Sequence, residues 1–240
     1  MLKLENIAWN TPSGEQIIQD VSYTAQNGKL IVVTGPNGGG KTTMAKLIAG
    51  LEKPTSGKIY LNGKDITSCN ITQRAQQGIA YAFQQPVRFK GINVKDLLEL
   101  SSGEILSYDK LCDLLGKVGL CAREYIEREL NSGLSGGEMK RIEIASVLAR
   151  KALLSIFDEP EAGIDLWSFT RLVETFQELR NNQNGTLLII SHQERILEIA
   201  DEIVVIANGK IRAAGSKDEV LPQLLSGEIT KKCPRGKENL

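Results

Sequence analysis

The run GPNGGGKTT at residues 35–43 stands directly behind the apolar stretch LIVV and ahead of KTTMAKLIAGL, whose apolar spacing suits a helix. Glycine inside a packed element costs roughly 0.5–1 kcal/mol relative to alanine, so this run has a use for bare backbone. Successive N–H groups can curl around phosphate oxygens at the positive end of the helix that begins at Lys41. The residues fit G-x-x-x-x-G-K-[ST] as Gly35, Gly40, Lys41 and Thr42. Lys41 supplies a point charge for β- and γ-phosphates, and the Thr42 hydroxyl can ligate Mg2+. A strand before and a helix after are the context that such a cradle requires.

Two further stretches carry candidate chemistry. ALLSIFDEP is an apolar run ending in Asp158 and Glu159, which places carboxylates where ligands bind in open α/β sheets. Alone, such a pair reads as a solvated strand end. Beside a phosphate loop, Asp158 becomes a ligand for Mg2+, through water, and Glu159 the group that polarises an attacking water. Ser155 interrupts the run and has no functional account. LSGGE, residues 134–138, offers Ser135 as a helix cap, with Gly136 and Gly137 exposing N–H groups at a helix start: a second anion site. One nucleotide hardly needs two cradles, whereas two nucleotides shared between two chains would use both. His192, the only histidine, follows the apolar run TLLII and by itself reads as a polar cap.

These side chains must be positioned by elements that the pattern outlines. Residues 1–29 alternate in short β-like pieces broken by TPSGE and QNGK, which is hairpin chemistry. PTSGKIYLNGKDI is another turn-rich β piece, and GIAYAFQQP reads as a strand that stops at Pro86. From residue 86 to about 149 the text turns helical, in NVKDLLEL (with Asn93 as N-cap), YDKLCDLLGKVGL and GGEMKRIEIASVLAR. Strands return in ALLSIF, TLLII and EIVVIANGKI, with WSFTRLVETFQELR and QERILEIA as helices between them. The expected class is α/β, a mostly parallel sheet covered on both faces, with a β-rich N-terminal part and an inserted helical block.

Composition bounds the partners. The 240 residues, 41% of them hydrophobic, suffice for one large domain. Lys and Arg number 29 against 29 Asp and Glu, so no global field draws the chain to nucleic acid or an anionic membrane. Cys69, Cys112, Cys121 and Cys233 form no CxxC pair and read as reduced, unpaired thiols of a cytoplasmic chain. No apolar run approaches the roughly 18 residues of a membrane span. The basic stretch KKCPRGK reads as a solvated, frayed end.

In order and content these motifs resemble the ATP-binding-cassette (ABC) ATPases, over essentially residues 1–222. GPNGGGKTT resembles Walker A, so Pro36, Asn37, Gly38, Gly39 and Thr43 join Gly35, Gly40, Lys41 and Thr42 as expected nucleotide contacts. Gln84 in AFQQP resembles the Q-loop, LSGGE the signature, LLSIFDEP the Walker B strand, EAGID with Asp165 the D-loop, and IISH with His192 the switch. The resemblance implies a P-loop (RecA-like) fold in one domain: a core at 1–85 and 150–222, a helical subdomain at 86–149 and a tail at 223–240. It implies ATP and Mg2+ as ligands, hydrolysis to ADP and phosphate, and a head-to-tail dimer closing over two nucleotides. Gln84 would contact Mg2+ and the attacking water, Asp165 the partner's site, and His192 the γ-phosphate.

Two positions depart from the family's pattern. Gly39 stands where serine is common, so one phosphate contact is missing or supplied by backbone. The adenine-stacking aromatic falls near Thr11; Trp9, two residues earlier on the same strand face, either substitutes for it or packs in the core. AFQQPVRFKGINVKDLL, SGLSGGEMKRIEIA and SHQERIL look like segments of SufC, the ATPase of the Suf iron–sulphur assembly machine. That likeness implies SufB- and SufD-like scaffold partners, distorted when the ATPase pair closes; the family's commonest role, serving a membrane permease, is the alternative.

Overall fold

The computed structural model describes residues 1–131, 133–181 and 185–227. Cys233 and the basic run at 231–237 lie outside the described residues. In chain order, β1 (Leu2–Asn10), β2 (Gln16–Ala25) and β3 (Leu30–Thr34) lead to α1 (Lys41–Ala49). Then come β4 (Ser56–Leu61), β5 (Lys64–Asp65), α2 (Ile71–Gln76) and β6 (Ile79–Ala82). A helical block follows: α3 (Val94–Ser102), α4 (Tyr108–Lys117), α5 (Ala122–Tyr125) and α6 (Gly136–Ala149). The chain continues through β7 (Leu154–Asp158), α7 (Leu166–Asn181), β8 (Thr186–Ile190) and α8 (Glu194–Glu198). β9 (Glu202–Ala207), β10 (Lys210–Ser216) and α9 (Lys217–Leu225) complete it.

Two sheets result. One is antiparallel, in the order β2-β1-β4-β5. The other runs β10-β9-β3-β8-β7-β6, parallel except where β10 turns back on β9. Strands β3, β7 and β8 are buried along their whole length, in keeping with their mostly apolar text, and in β7 the polar Ser155 and Asp158 are buried too. Alternate residues feed two cores. Ile31, Val33, Ile156, Leu188 and Ile190 face α1 and the antiparallel sheet. Leu30, Val32, Phe157, Leu187 and Ile189 face the helical block and the later helices. The expected α/β class, with its antiparallel N-terminal sheet, is the observed one.

Three local expectations need correction. The strand at GIAYAFQQP ends at Ala82, short of Pro86, because the Phe83 N–H and carbonyl turn away to side chains of α6. EIVVIANGKI is two strands, β9 and β10, hinged at Asn208–Gly209, both with positive φ (51° and 70°). An Asn-Gly pair between apolar runs is the strongest short hairpin signal, so the text did carry this turn. Thr11 lies beyond β1 in the hairpin loop, its N–H donating to the Glu15 carbonyl at 2.8 Å, so it shares no strand face with Trp9. Trp9 itself is half-buried against the core under the antiparallel sheet.

The short helix α2 has its own signal, an Asn70/Gln73 capping box. It delivers Arg74, which is 0% exposed and, among the described residues, forms no ion pair with a carboxylate. Its guanidinium instead donates to the carbonyls of Leu47 (2.5 Å), Ile48 (2.8 Å), Cys69 (3.0 Å) and Thr67 (3.1 Å). The first two belong to the last turn of α1, so a buried cation caps the negative end of the helix whose other end meets the glycine loop.

Candidate functional site

The glycine loop is shaped by what surrounds it. Gly35 has φ 133°, and a Cβ there would stand 2.1 Å from the Ile206 carbonyl oxygen. A Cβ at Gly39 would stand 2.8 Å from the same oxygen and 2.9 Å from the Pro36 carbonyl oxygen. Serine therefore has no room at position 39 in this loop. The Gly39 N–H closes the turn onto Pro36 (3.1 Å), while its carbonyl accepts the Gly209 N–H (3.0 Å). The Gly209 carbonyl in turn accepts the Gln19 N–H at 2.8 Å. The β9–β10 turn is thus wedged between β2 and the loop.

Lys41 is nearly fully buried and donates to the carbonyls of Gly35 (2.8 Å) and Pro36 (3.0 Å). Burial lowers its pKa, while Glu159 and Asp158 act to raise it. Such an ammonium is already desolvated and lies across the loop where phosphates would sit. From the next residue, the Thr42 hydroxyl donates to Asp158 Oδ1 at 3.1 Å. Asp158, at 0% exposure, also accepts the Tyr81 hydroxyl at 2.8 Å. Burial raises the Asp158 carboxyl, and the bonds from Tyr81 and Thr42 oppose it.

Gln84 and Glu159 also meet, the Gln84 amide Nε2 donating to Glu159 Oε2 at 2.7 Å. That leaves the Gln84 carbonyl oxygen on the same side chain. A hydroxyl, a buried carboxylate and an amide oxygen are hard donors of the kind Mg2+ takes, so the residues present fit that ion. Glu159 has φ 46°, a left-handed conformation uncommon outside glycine, and its N–H donates to Ile190 at 3.0 Å.

Behind this pair stands a residue that the sequence reading missed. Lys140 of α6 is 1% exposed. Its ammonium donates to the carbonyls of Phe83, Gln84 (3.3 Å) and Asp158 (3.2 Å). Glu143, one turn on, accepts the Phe83 N–H at 2.9 Å and lies 3.9 Å from Lys140. The K-x-x-E spacing of EMKRIEI was the available signal; that both side chains point inward was not readable.

The second cradle opens α6. Ser135 accepts the Glu138 N–H (3.2 Å), and Glu138 Oε2 accepts the Ser135 N–H (2.7 Å), a complete capping box. Glu138 Oε1 takes the Tyr125 hydroxyl at 2.5 Å and Arg128 at 3.4 Å. The Tyr125 bond, followed by the bonds with Ser135, pulls the Glu138 carboxyl down to about 2. Its folded-state pKa lies below the ordinary glutamate value of about 4.5, so its stabilising contribution is complete above about pH 4.5 and fades as pH falls toward 2. Glu138→Gln is expected to flatten that acid limb in thermal melts between pH 5 and 3; an unchanged pH dependence would discount the capping carboxylate.

Gly137 packs on the D-loop segment, since a Cβ there would stand 2.6 Å from the Gly163 carbonyl oxygen. Asp165 caps α7 through the N–H groups of Trp167 (3.1 Å) and Ser168 (3.0 Å), and the Ser168 bonds lower its pKa. Arg141 joins the two motifs, donating to Ser168 Oγ at 2.9 Å. His192 is exposed just past β8. Lys41, Thr42, Asp158, Gln84 and Glu159 therefore gather around one end of the parallel sheet. Among the described residues, no hydrogen bond or ion pair joins Ser135, Gly136 or Gly137 to the glycine loop.

Comparison with known proteins places the chain. The family model described as ABC transporter matches residues 18–162. An uncharacterised ABC transporter ATP-binding protein of Methanocaldococcus jannaschii is 37% identical, covering 99% of this chain and 98% of its own length. The lipopolysaccharide export system ATP-binding protein of Haemophilus influenzae is 31% identical, with 92% of each covered. A nucleotide-free ATP-binding cassette from an ABC transporter superposes with TM-score 0.81 at 28% identity, over 99% of both chains. A dimeric post-hydrolysis cassette bound to ADP and Pi superposes with TM-score 0.81 at 22% identity, a likeness of fold.

Proposed function

This chain belongs to the ABC transporter family as an ATP-binding cassette, and on that footing we propose that it hydrolyses Mg-ATP to drive a partner's change of shape. The observation that carries the reading is the convergence of Thr42, Asp158, Gln84 and Glu159 within hydrogen-bond reach at the end of the phosphate loop. The loop amides and Lys41 hold the phosphates. Glu159 takes a proton from the attacking water, which the Gln84 amide helps to orient. Thr42, Asp158 and the Gln84 carbonyl would hold Mg2+, which when bound neutralises phosphate charge. His192 contacts the γ-phosphate. Ser135, Gly136, Gly137 and Asp165, left apart from the loop within one chain, serve the nucleotide of a second copy.

A membrane permease is the first choice of partner, on the names of the relatives: an ABC transporter ATP-binding protein and a lipopolysaccharide export ATP-binding protein. The expected Suf-type role finds no support in those names, which favour the alternative. It stays as a second reading on one observation, the three strings around Gln84, Glu138 and His192 that resemble SufC. Either partner would dock on the helical block, where Leu100, Ile105 and Tyr108 are exposed apolar side chains. No helix among the described residues is long and apolar enough to cross a membrane, so a spanning partner is a separate chain in the first reading. Affinity purification of the tagged chain from native cells is expected to bring down a multi-span permease. Recovery of a SufB- or SufD-like scaffold instead would replace the first reading with the second, and recovery of neither would remove both.

A further inference from the structure

Glu161 is a third carboxylate near the catalytic end of β7, and none of the roles above uses it. Its Oε1 accepts the Ser191 hydroxyl at 2.7 Å. Ser191 is fully buried, and its hydroxyl oxygen accepts the Gln193 N–H at 3.0 Å. Glu161 thereby holds, through one hydroxyl, the two residues that flank His192. Its other oxygen, Oε2, is buried and has no hydrogen-bond partner among the described residues. Buried polar atoms in folded chains are paired almost without exception, so a bare one beside a reaction centre awaits a donor. Burial raises the Glu161 carboxyl, the Ser191 bond and the charge of His192 oppose that, and the charge of Glu159 adds to it.

The imidazole of His192, the residue after Ser191, is a donor that this carboxylate can take. A ring that donates one N–H to a γ-phosphate has a second nitrogen to place, and a carboxylate that accepts an N–H from that nitrogen keeps it protonated and fixes the ring's orientation. We propose that Glu161 is a positioning residue whose Oε2 accepts a ring N–H of His192 when nucleotide is bound, aiming the opposite N–H at the γ-phosphate. With both nitrogens donating, the ring is an imidazolium between two anions. Glu161 touches neither substrate nor metal in this arrangement; it acts through His192. The inference rests on the ATPase reading, and its test separates the two.

His192 is the only histidine in the chain, so histidine-selective 15N labelling yields a single pair of ring signals. In a Glu159→Gln sample holding Mg-ATP, both ring nitrogens are expected as N–H. Adding Glu161→Gln is expected to return one of them to the bare state. This substitution keeps an amide oxygen for Ser191 but turns an NH2 toward the ring. In turnover assays Glu161→Gln alone should lower kcat about 10–100-fold with KM little changed, the usual cost of losing a partner that orients a working imidazole. That loss should vanish in a His192→Ala background, and Glu161→Asp should recover part of it. Ring signals indifferent to residue 161, or losses that multiply across the two positions, overturn the proposal. If Glu161→Gln does not fold, the unmodified chain with a non-hydrolysable ATP analogue carries the test, and a bound ring with one bare nitrogen overturns it. Failure of the unmodified chain to bind ATP would instead remove the ATPase reading.

Discussion

Replacing Glu159 by glutamine is expected to slow ATP turnover roughly 10²–10⁴-fold while leaving ATP binding intact, the range a general base contributes. The substitution keeps size, keeps the backbone bond to Ile190, and keeps an amide oxygen that Gln84 can still reach. What it removes is the capacity to take a proton from water. The binding elements, Lys41 on its loop carbonyls and Thr42 against Asp158, stand apart from that change. Nucleotide should accumulate unhydrolysed, and a pair of chains clasping two ATP should persist in size-exclusion chromatography as a dimer. Single-turnover assays and an equilibrium binding measurement decide the matter. A Glu159→Gln chain that hydrolyses ATP at the normal rate would reassign the base.

Lys140→Met is expected to be the most destabilising single change outside the glycine loop. Methionine matches the length of lysine and none of its donors. Three carbonyls lose a partner, and the buried Glu143 loses the cation 3.9 Å away. Removing one member of a buried charge pair costs about 3–5 kcal/mol, more than the pair itself is worth against an apolar replacement. In a chain of this size each 1 kcal/mol moves the melting temperature by about 2–4 °C, so a fall of roughly 6–20 °C is expected. Glu143 accepts the Phe83 N–H and its carboxyl is already raised by burial, so Glu143→Gln added to Lys140→Met should recover part of the loss. A melting temperature within about 2 °C of the unmodified chain would show the ammonium to be dispensable.

The chemistry of the site was legible because it is written in contiguous text. The loop at 35–43 follows β3, and Asp158 and Glu159 stand at the end of β7, strands whose mostly apolar runs announce burial on both faces. The caps at Asn93 and Ser135 were visible for the same reason, since a capping box spans only four residues. What could not be read is set by pairings far apart in the chain. Arg74 reaches back to the end of α1, and Lys140 to carbonyls of β7 and of the segment after β6. Nothing in the composition of either helix tells that its cation turns inward, because surface lysines and arginines have the same local text. Glu161 was in view only as one letter of EAGID; its role follows from Ser191, on another strand's end. The Asn208–Gly209 hairpin is different: its dipeptide was there to be weighed, and the apolar text on either side outweighed it.

That hairpin bears on how fast nucleotide comes and goes. Gly209 ties the phosphate loop to β2 before any ligand arrives, so the loop has already surrendered its conformational freedom in the folded chain. Association then forfeits little further entropy and need not wait for a rare competent conformer, and encounters become productive at close to the orientation-limited rate. If the loop takes nucleotide as proposed, ATP and ADP are expected to differ chiefly in residence time, set by what grips the terminal phosphate.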